Sequence, residues 1–432
     1  MIRKTPIYLG GGYNENFDDE LISSDNELTN TEEKNDKNKK RESKIRFFSD
    51  DSEYAKTVVV ENSKVSSIQA ALDSITDDVG GDLLLKINSN IDNKNNKDVI
   101  SIPTDKGIRS LTIGTDIEGG IKESDYYDIT FYANGIPITI DSGVNLGSHT
   151  TIYGGGADDV KGGGTSITVN EGAAVYAIFG GGLESDVNGD VNITVNGTVS
   201  RVYGGGYTYA DDSNKSASAN VFGNISIEVS GENSVLERIL AGGGYAYDAS
   251  NKDEERTLEA NVKGNIEIYL DCPNIGSGNK IYGGGYAYIV QEINNQNIEA
   301  NVIGDINITL SGNTKAVGEG YLNLWGGGSA GILMNANSGV ELDNTKASAT
   351  VTGDISVDAS KDFNATSGYD DWDSSMFDNL YGGGHASGPY ADATVNGNTD
   401  VITCREVRDS QRSGAFAGGH ATHGSKARVT GN

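Results

Sequence analysis

Cysteine is nearly absent from this chain. Its two cysteines, Cys272 and Cys404, are too few for a disulfide framework, and neither has the ligand-like neighbours of a zinc site. Long hydrophobic runs are missing as well. No stretch approaches the roughly 20 apolar residues that span a bilayer, and the opening MIRKTPIYLGGGYNENF lacks the apolar core of a signal peptide. Basic residues are scarce: 33 Lys and Arg stand against 62 Asp and Glu, a formal charge of -29. That charge repels phosphate backbones and anionic lipid, so nucleic acid and bare membrane are poor partners for it, whereas cations suit it. Hydrophobic residues make up only 36% of the 432, which still suffices for a core if they recur periodically.

The chain divides near residue 46. Residues 1–45 form a polar, mixed-charge, Asn-rich tract with almost no apolar periodicity; burial cannot offset its ordering entropy, so a disordered N-terminal segment is expected. In VSSIQAALDSI, Val65, Ile68, Leu72 and Ile75 fall at helical spacing behind the candidate N-caps Ser66 and Ser67, which predicts one short amphipathic helix. The period then changes to two. LLLKI (83–87), VISI (99–102), SLTI (110–113), ITFYA (129–133) and ITI (138–140) predict short strands between Asn, Asp and Gly turns.

Beyond Tyr153 the sequence repeats. An apolar or aromatic pair followed by three glycines recurs as IYGGG, IFGGG, VYGGG, LAGGG, IYGGG, LWGGG and LYGGG, ending in the degenerate FAGGH. It alternates with a turn that opens a strand, as in NGDVNITV, FGNISIEV, KGNIEIYL and IGDINITL. Gly154, Gly180 and Gly204 begin successive triplets at intervals of about 25 residues, the length of one solenoid coil built from two or three short strands. Later intervals are wider, and the excess falls in polar stretches such as TYADDSNKSASA and AYDASNKDEERTLEA, expected as loops aligned along one edge. The triplets are expected to turn tight corners with φ > 0. The column Asp190, Asn224, Asn265, Asp305, Asp354 and Asn398 reads as turn chemistry in which side chains bond their own backbone.

The helix containing IQAAL, followed by coils of this length, resembles the entry to right-handed parallel β-helices of the pectin-lyase-like type. The YGGG/GDI repeat resembles large surface proteins of Gram-positive bacteria. The fold class implied for 46–432 is all-β, a right-handed parallel β-helix with a short N-terminal capping helix. The resemblance implies either a non-catalytic surface scaffold or adhesin, at a cell surface or outside the cell, or a polysaccharide lyase or glycoside hydrolase. Of the motifs expected of the enzymes, RIK is absent, NTD occurs only at 398–400 inside the strand-opening repeat NGNTDVIT, and the nearest approach to GHG is THG at 422–424.

Three clusters carry the chemistry. Asp158, Asp159, Glu184 and Asp186 follow glycine triplets on successive coils; oxygen ligands so placed would suit Ca²⁺, or an acid and nucleophile pair with Lys161 or Arg201 as the nearby base, and solvated acidic turns explain them equally. Tyr207 and Tyr209, Tyr245 and Tyr247, and Tyr286 and Tyr288 recur as Y-x-Y directly after three triplets. Positions i and i+2 share one strand face, so the rings predict two columns, either a ladder bracing the stack or a platform for sugars. His385 and His420 follow consecutive triplets in register, with His423 three residues on; stacked surface histidines and a metal site are the two readings.

Because these features are spread over many coils, the sequence favours the non-catalytic reading, with glycans or host surface proteins as partners. Three coils at ~4.8 Å put Cys272 and Cys404 about 14 Å apart, so both thiols are expected free. SKARVTGN aligns with YADATVNGN, so the sequence stops where another strand is due and is expected to continue into further repeats.

Overall fold

The computed structural model describes residues 8–9, 13–14, 46–48, 54–61, 66–89, 97–121, 128–147, 149–211, 216–276, 279–291, 293–317, 322–333, 342–361, 377–403 and 414–432. Most of the expected disordered tract therefore lies outside the described residues. Within it, Tyr8–Leu9 and Tyr13–Asn14 form one short antiparallel pair.

The chain is a parallel β-helix. Alternating strands such as Ile306–Leu310 bury Ile306, Ile308 and Leu310 and expose Asn307 and Thr309, as a period of two requires. Each coil pairs in register with the next: Ile225 sits beside Ile266, Ile266 beside Ile306, and Ile306 beside Ile355. Stacked β-branched side chains thus fill the core as continuous columns.

Two long sheets carry the coils. Sheet I runs from Arg46–Phe48 to Thr399–Thr403 and is parallel throughout except for its first strand, which pairs antiparallel with Lys56–Val60. Sheet II runs from Lys97–Ser101 to Gly414–Phe416. Sheet III is a narrow third face, where Val221, Val262, Val302, Val351 and Val395 stack inward. The early strands fall where periodicity put them; Ile138–Ile140 matches residue for residue, and Gly81–Ile87 extends LLLKI by two. The expected helix is Ser66–Asp73, packed against the strands at Lys56–Val60 and Lys97–Ser101, with Ile68, Leu72 and Ile75 buried; Val65 lies outside the described residues.

The polar insertions form more than loops. Tyr207–Ala210, Tyr245–Asp248, Tyr286–Ile289, Ser329–Ile332, His385–Ser387 and His420–Thr422 make sheet IV. Ala217–Ser218, Arg256–Glu259, Gln296–Glu299, Lys346–Ser348 and Ala391–Asp392 make sheet V. The two enclose a second, alanine-rich core of residues such as Ala246, Leu258, Ala287, Ile298, Ala330 and Ala347. Small side chains let two short sheets close on each other, so the later coils carry a side lobe.

The triplets overturn the expectation of positive φ. None of the described triplet glycines adopts it. Glycine is required there by close approach: a Cβ on Gly242 would overlap the carbonyl oxygen of Gly283 in the next coil, and one on Gly244 would press on Ala260 across the waist between the two cores. The backbone ladder runs unbroken through the bend, with Gly205 N–H donating to Gly243 O and Gly243 N–H to Gly284 O.

The Asp/Asn column is corrected similarly. Each side-chain oxygen accepts from the amide of its equivalent in the following coil, not from its own turn. Asp190 accepts from Asn224 N–H at 2.7 Å, Asn224 from Asn265 at 3.0 Å, Asn265 from Asp305 at 2.9 Å, and Asp305 from Asp354 at 2.8 Å. A second ladder, unforeseen, climbs through Asp159, Asp186, Asn220, Asn261, Asn301 and Thr350 with spacings of 2.7–3.0 Å.

Candidate functional site

The triplet bend gives the molecule its most distinctive surface. Residues on either side of three glycines, such as Tyr203 and Tyr207, point away from the main core, and the bend turns their two sheets toward each other on that outer face. Rings of sheets II and IV consequently touch: Phe179 lies 5.1 Å from Tyr207, Tyr203 5.1 Å from Tyr245, and Tyr282 5.6 Å from Tyr286, centroid to centroid. The result is an aromatic elbow.

Both expected tyrosine columns are present, with Tyr207, Tyr245 and Tyr286 in one register and Tyr209, Tyr247 and Tyr288 in the other. Their environments differ. Tyr207, Tyr245 and Tyr286 are only 6–8% exposed, and burial pushes their hydroxyls well above the usual phenol value. Tyr209 and Tyr247 are half-buried and stack at 5.9 Å with planes 12° apart. Tyr288, 6% exposed, lies over Gly331 of the next coil, where a Cβ would collide with the ring.

Sequence reasoning missed the third column, formed by the aromatic residue before each triplet: Tyr153, Phe179, Tyr203, Tyr282, Trp325 and Tyr381. Its rings stack at 4.7–6.0 Å wherever neighbouring coils both carry one. Ala241 interrupts it, and Tyr245 stacks on Tyr203 in the gap. The signal was present in YGGGY: two aromatics separated by three residues that cannot carry a side chain between them. On the same outer face, two residues before the aromatic, stand Arg201 and Lys280, both partly exposed, which line the elbow with positive charge in a strongly acidic chain. Arg201 also lies 5.1 Å above the Tyr176 ring.

The elbow ends in histidine. His385 and His420 are in register and stack at 5.3 Å, with Trp325 5.1 Å from His385 and Tyr381 5.5 Å from His420. Burial, aided by His420 and Lys280, pushes His385 down to about 3, while Ser329 Oγ lies 3.3 Å from its Nδ1. His423 occupies an exposed turn at φ 54°.

The four expected calcium ligands occupy different settings. Asp158 is exposed; Asp159 and Asp186 belong to the second ladder, each accepting an amide of the next coil. Glu184 sits at φ 52°, and the protein around it, with the Asp211 carboxylate, raises it above the usual carboxylate value. Among the described residues, no group of three or more His, Cys, Asp or Glu is arranged to hold a metal ion. Lys161 is exposed. Cys272 is a free, buried thiol in the main core, raised by burial, and Cys404 lies outside the described residues. Among the described residues, no helix is long and apolar enough to cross a membrane.

Comparison with protein-family models, with curated proteins and with solved structures gave no match.

Proposed function

We propose that this chain is a non-catalytic β-helix repeat scaffold of a cell-surface or extracellular protein, an adhesin-type module that holds a glycan along the outer wall of its aromatic elbow. The observation that carries this reading is the distribution of polar and aromatic side chains. Asp159, Asp186 and the Asn columns serve as rungs between coils, so carboxylates that a catalytic centre would gather are spent one per coil on backbone amides. The aromatic and basic groups that the elbow turns toward solvent are the half-buried Tyr209 and Tyr247, with the partly exposed Arg201 and Lys280 on the sheet II side. Phenol rings offer apolar area with a hydroxyl handle, and guanidinium and ammonium groups donate to sugar oxygens.

The test is retention of the whole chain on immobilised neutral and acidic polysaccharides, with the same polysaccharides assayed for cleavage. Binding without cleavage is expected, and Tyr209→Ala with Tyr247→Ala should weaken it while changing the melting temperature far less than Tyr245→Ala. Cleavage that disappears on Asp158→Asn plus Asp159→Asn overturns the reading in favour of a polysaccharide lyase or glycoside hydrolase.

A further inference from the structure

Among the described residues, Tyr209 and Tyr247 are the one contacting tyrosine pair in which both rings reach solvent. The inner column is sealed, and Tyr132, half-buried, meets a Tyr153 that is 6% exposed. Tyr288 continues the outer column, but its ring leans over Gly331, and its centroid is 6.4 Å from Tyr247. The parallel register holds the Tyr209 and Tyr247 backbones side by side, with Thr208 beside Ala246 and Ala210 beside Asp248. The two phenols therefore cannot diffuse apart, and each ring keeps one side toward solvent while Tyr207 packs beside Tyr209 and Tyr245 beside Tyr247.

We propose that Tyr209 and Tyr247 form a site of oxidative cross-linking, coupling to an intramolecular dityrosine that staples adjacent coils. The oxidant is of the class of a heme peroxidase with hydrogen peroxide. Each phenol gives up one electron and its hydroxyl proton to become a phenoxyl radical. The radicals join through one new C–C bond between ring carbons ortho to the oxygens, and the displaced ring protons return to those oxygens on tautomerisation. One peroxide takes up the two electrons and two protons and becomes two waters. In the stack the centroids stand 5.9 Å apart with planes 12° apart; coupling requires both rings to turn about χ2, a broad torsion, so that their ortho edges face each other, and the side chains then to lean together to close the bond. A radical formed on either ring meets its partner at a fixed high effective concentration, which favours coupling within the chain over coupling between chains. The exposed Tyr269 and Tyr390, 41% and 40% exposed, have no other aromatic ring stacked on them among the described residues and serve as internal controls.

The experiment treats the dilute whole chain with a heme peroxidase and hydrogen peroxide. It reads dityrosine fluorescence in the monomer fraction and maps cross-linked peptides by mass spectrometry. The expected result is a Tyr209 to Tyr247 link in the monomer, loss of most monomer fluorescence in Tyr247→Phe and in Tyr209→Phe, and retention in Tyr390→Phe. The linked protein should unfold at a higher temperature than the untreated one. Absence of dityrosine from the monomer, or a map showing only intermolecular links through Tyr269 or Tyr390, overturns the proposal. The wild-type map decides the matter even if a Phe variant folds poorly.

Discussion

Asp248 and Arg256 form a buried ion pair at the far end of the lobe, each side chain only 2% exposed, with Arg256 Nη1 3.2 Å from Asp248 Oδ1. It joins sheet IV to sheet V within one coil, and Asp248 Oδ1 also accepts from Ser250 N–H at 2.8 Å. At that separation and an effective dielectric of about 20, the attraction is roughly 5 kcal/mol, set against a desolvation cost of several kcal/mol per ion. The net worth of the pair is therefore small, but either charge alone is expensive. Asp248→Ala or Arg256→Ala should destabilise the lobe by about 3–5 kcal/mol, because each leaves an uncompensated buried charge. The next coil supplies a neutral solution at the same positions, Ile289 in register with Asp248 and Gln296 in register with Arg256. The double variant Asp248→Ile with Arg256→Gln should thus lie within about 1.5 kcal/mol of the parent, closer to it than either single variant. Native-state hydrogen exchange at the amides of 245–248 and 256–259, with thermal unfolding alongside, measures all three variants. Single variants that each cost less than about 1 kcal/mol would mean that water reaches the pair and would refute the argument.

Three further outcomes are expected. Gly242→Ala drives a Cβ into the Gly283 carbonyl, a backbone atom that cannot rotate away, and should cost at least the 1–3 kcal/mol typical of overpacking, read as a fall in melting temperature. Asn261→Ala removes the 2.8 Å acceptor of the Asn301 amide at a half-buried rung and should cost about 1–2 kcal/mol, whereas Asn265→Ala, whose rung is exposed to water, should cost less; exchange rates of the Asn301 and Asp305 amides separate them. His385 titrates near 3 in the fold but near 6.5 when unfolded, so below pH 6.5 the unfolded chain binds the extra proton and stability falls as pH falls. The loss should be about 2 kcal/mol at pH 5, and His385→Ser, the residue of the preceding coil, should flatten that slope in a melting-temperature titration.

How much of this was legible in the chain follows from which interactions are local. Period-two alternation and the recurrence of YGGG and GDI define strands, coil length and the parallel stack, because equivalent residues in successive coils must meet when each coil is the same length at its core. The Y-x-Y columns were readable for that reason. The purpose of the triplets was not: whether a glycine answers to φ or to a neighbour's carbonyl depends on what the next coil places against it. The Asp/Asn columns were visible as columns, but their partners, amides one coil away, belong to the stacking.

Sequence by itself determined the repeat, the solenoid class and the identity of the residues that share a column. Tertiary structure alone decided what lies between columns. The aromatic before each triplet and the tyrosine after it are four residues apart, and only the bend of sheet II into sheet IV turns them into one elbow. Insertions that read as polar loops became a second core because small and aliphatic residues at alternate positions, such as Ala287 and Ile289, packed against those of a returning strand, such as Ile298 and Ala300. Asp248 and Arg256 look like two ordinary charges in a polar stretch until that packing seals them from water. Local chemistry is written residue by residue, but burial is a property of the stack.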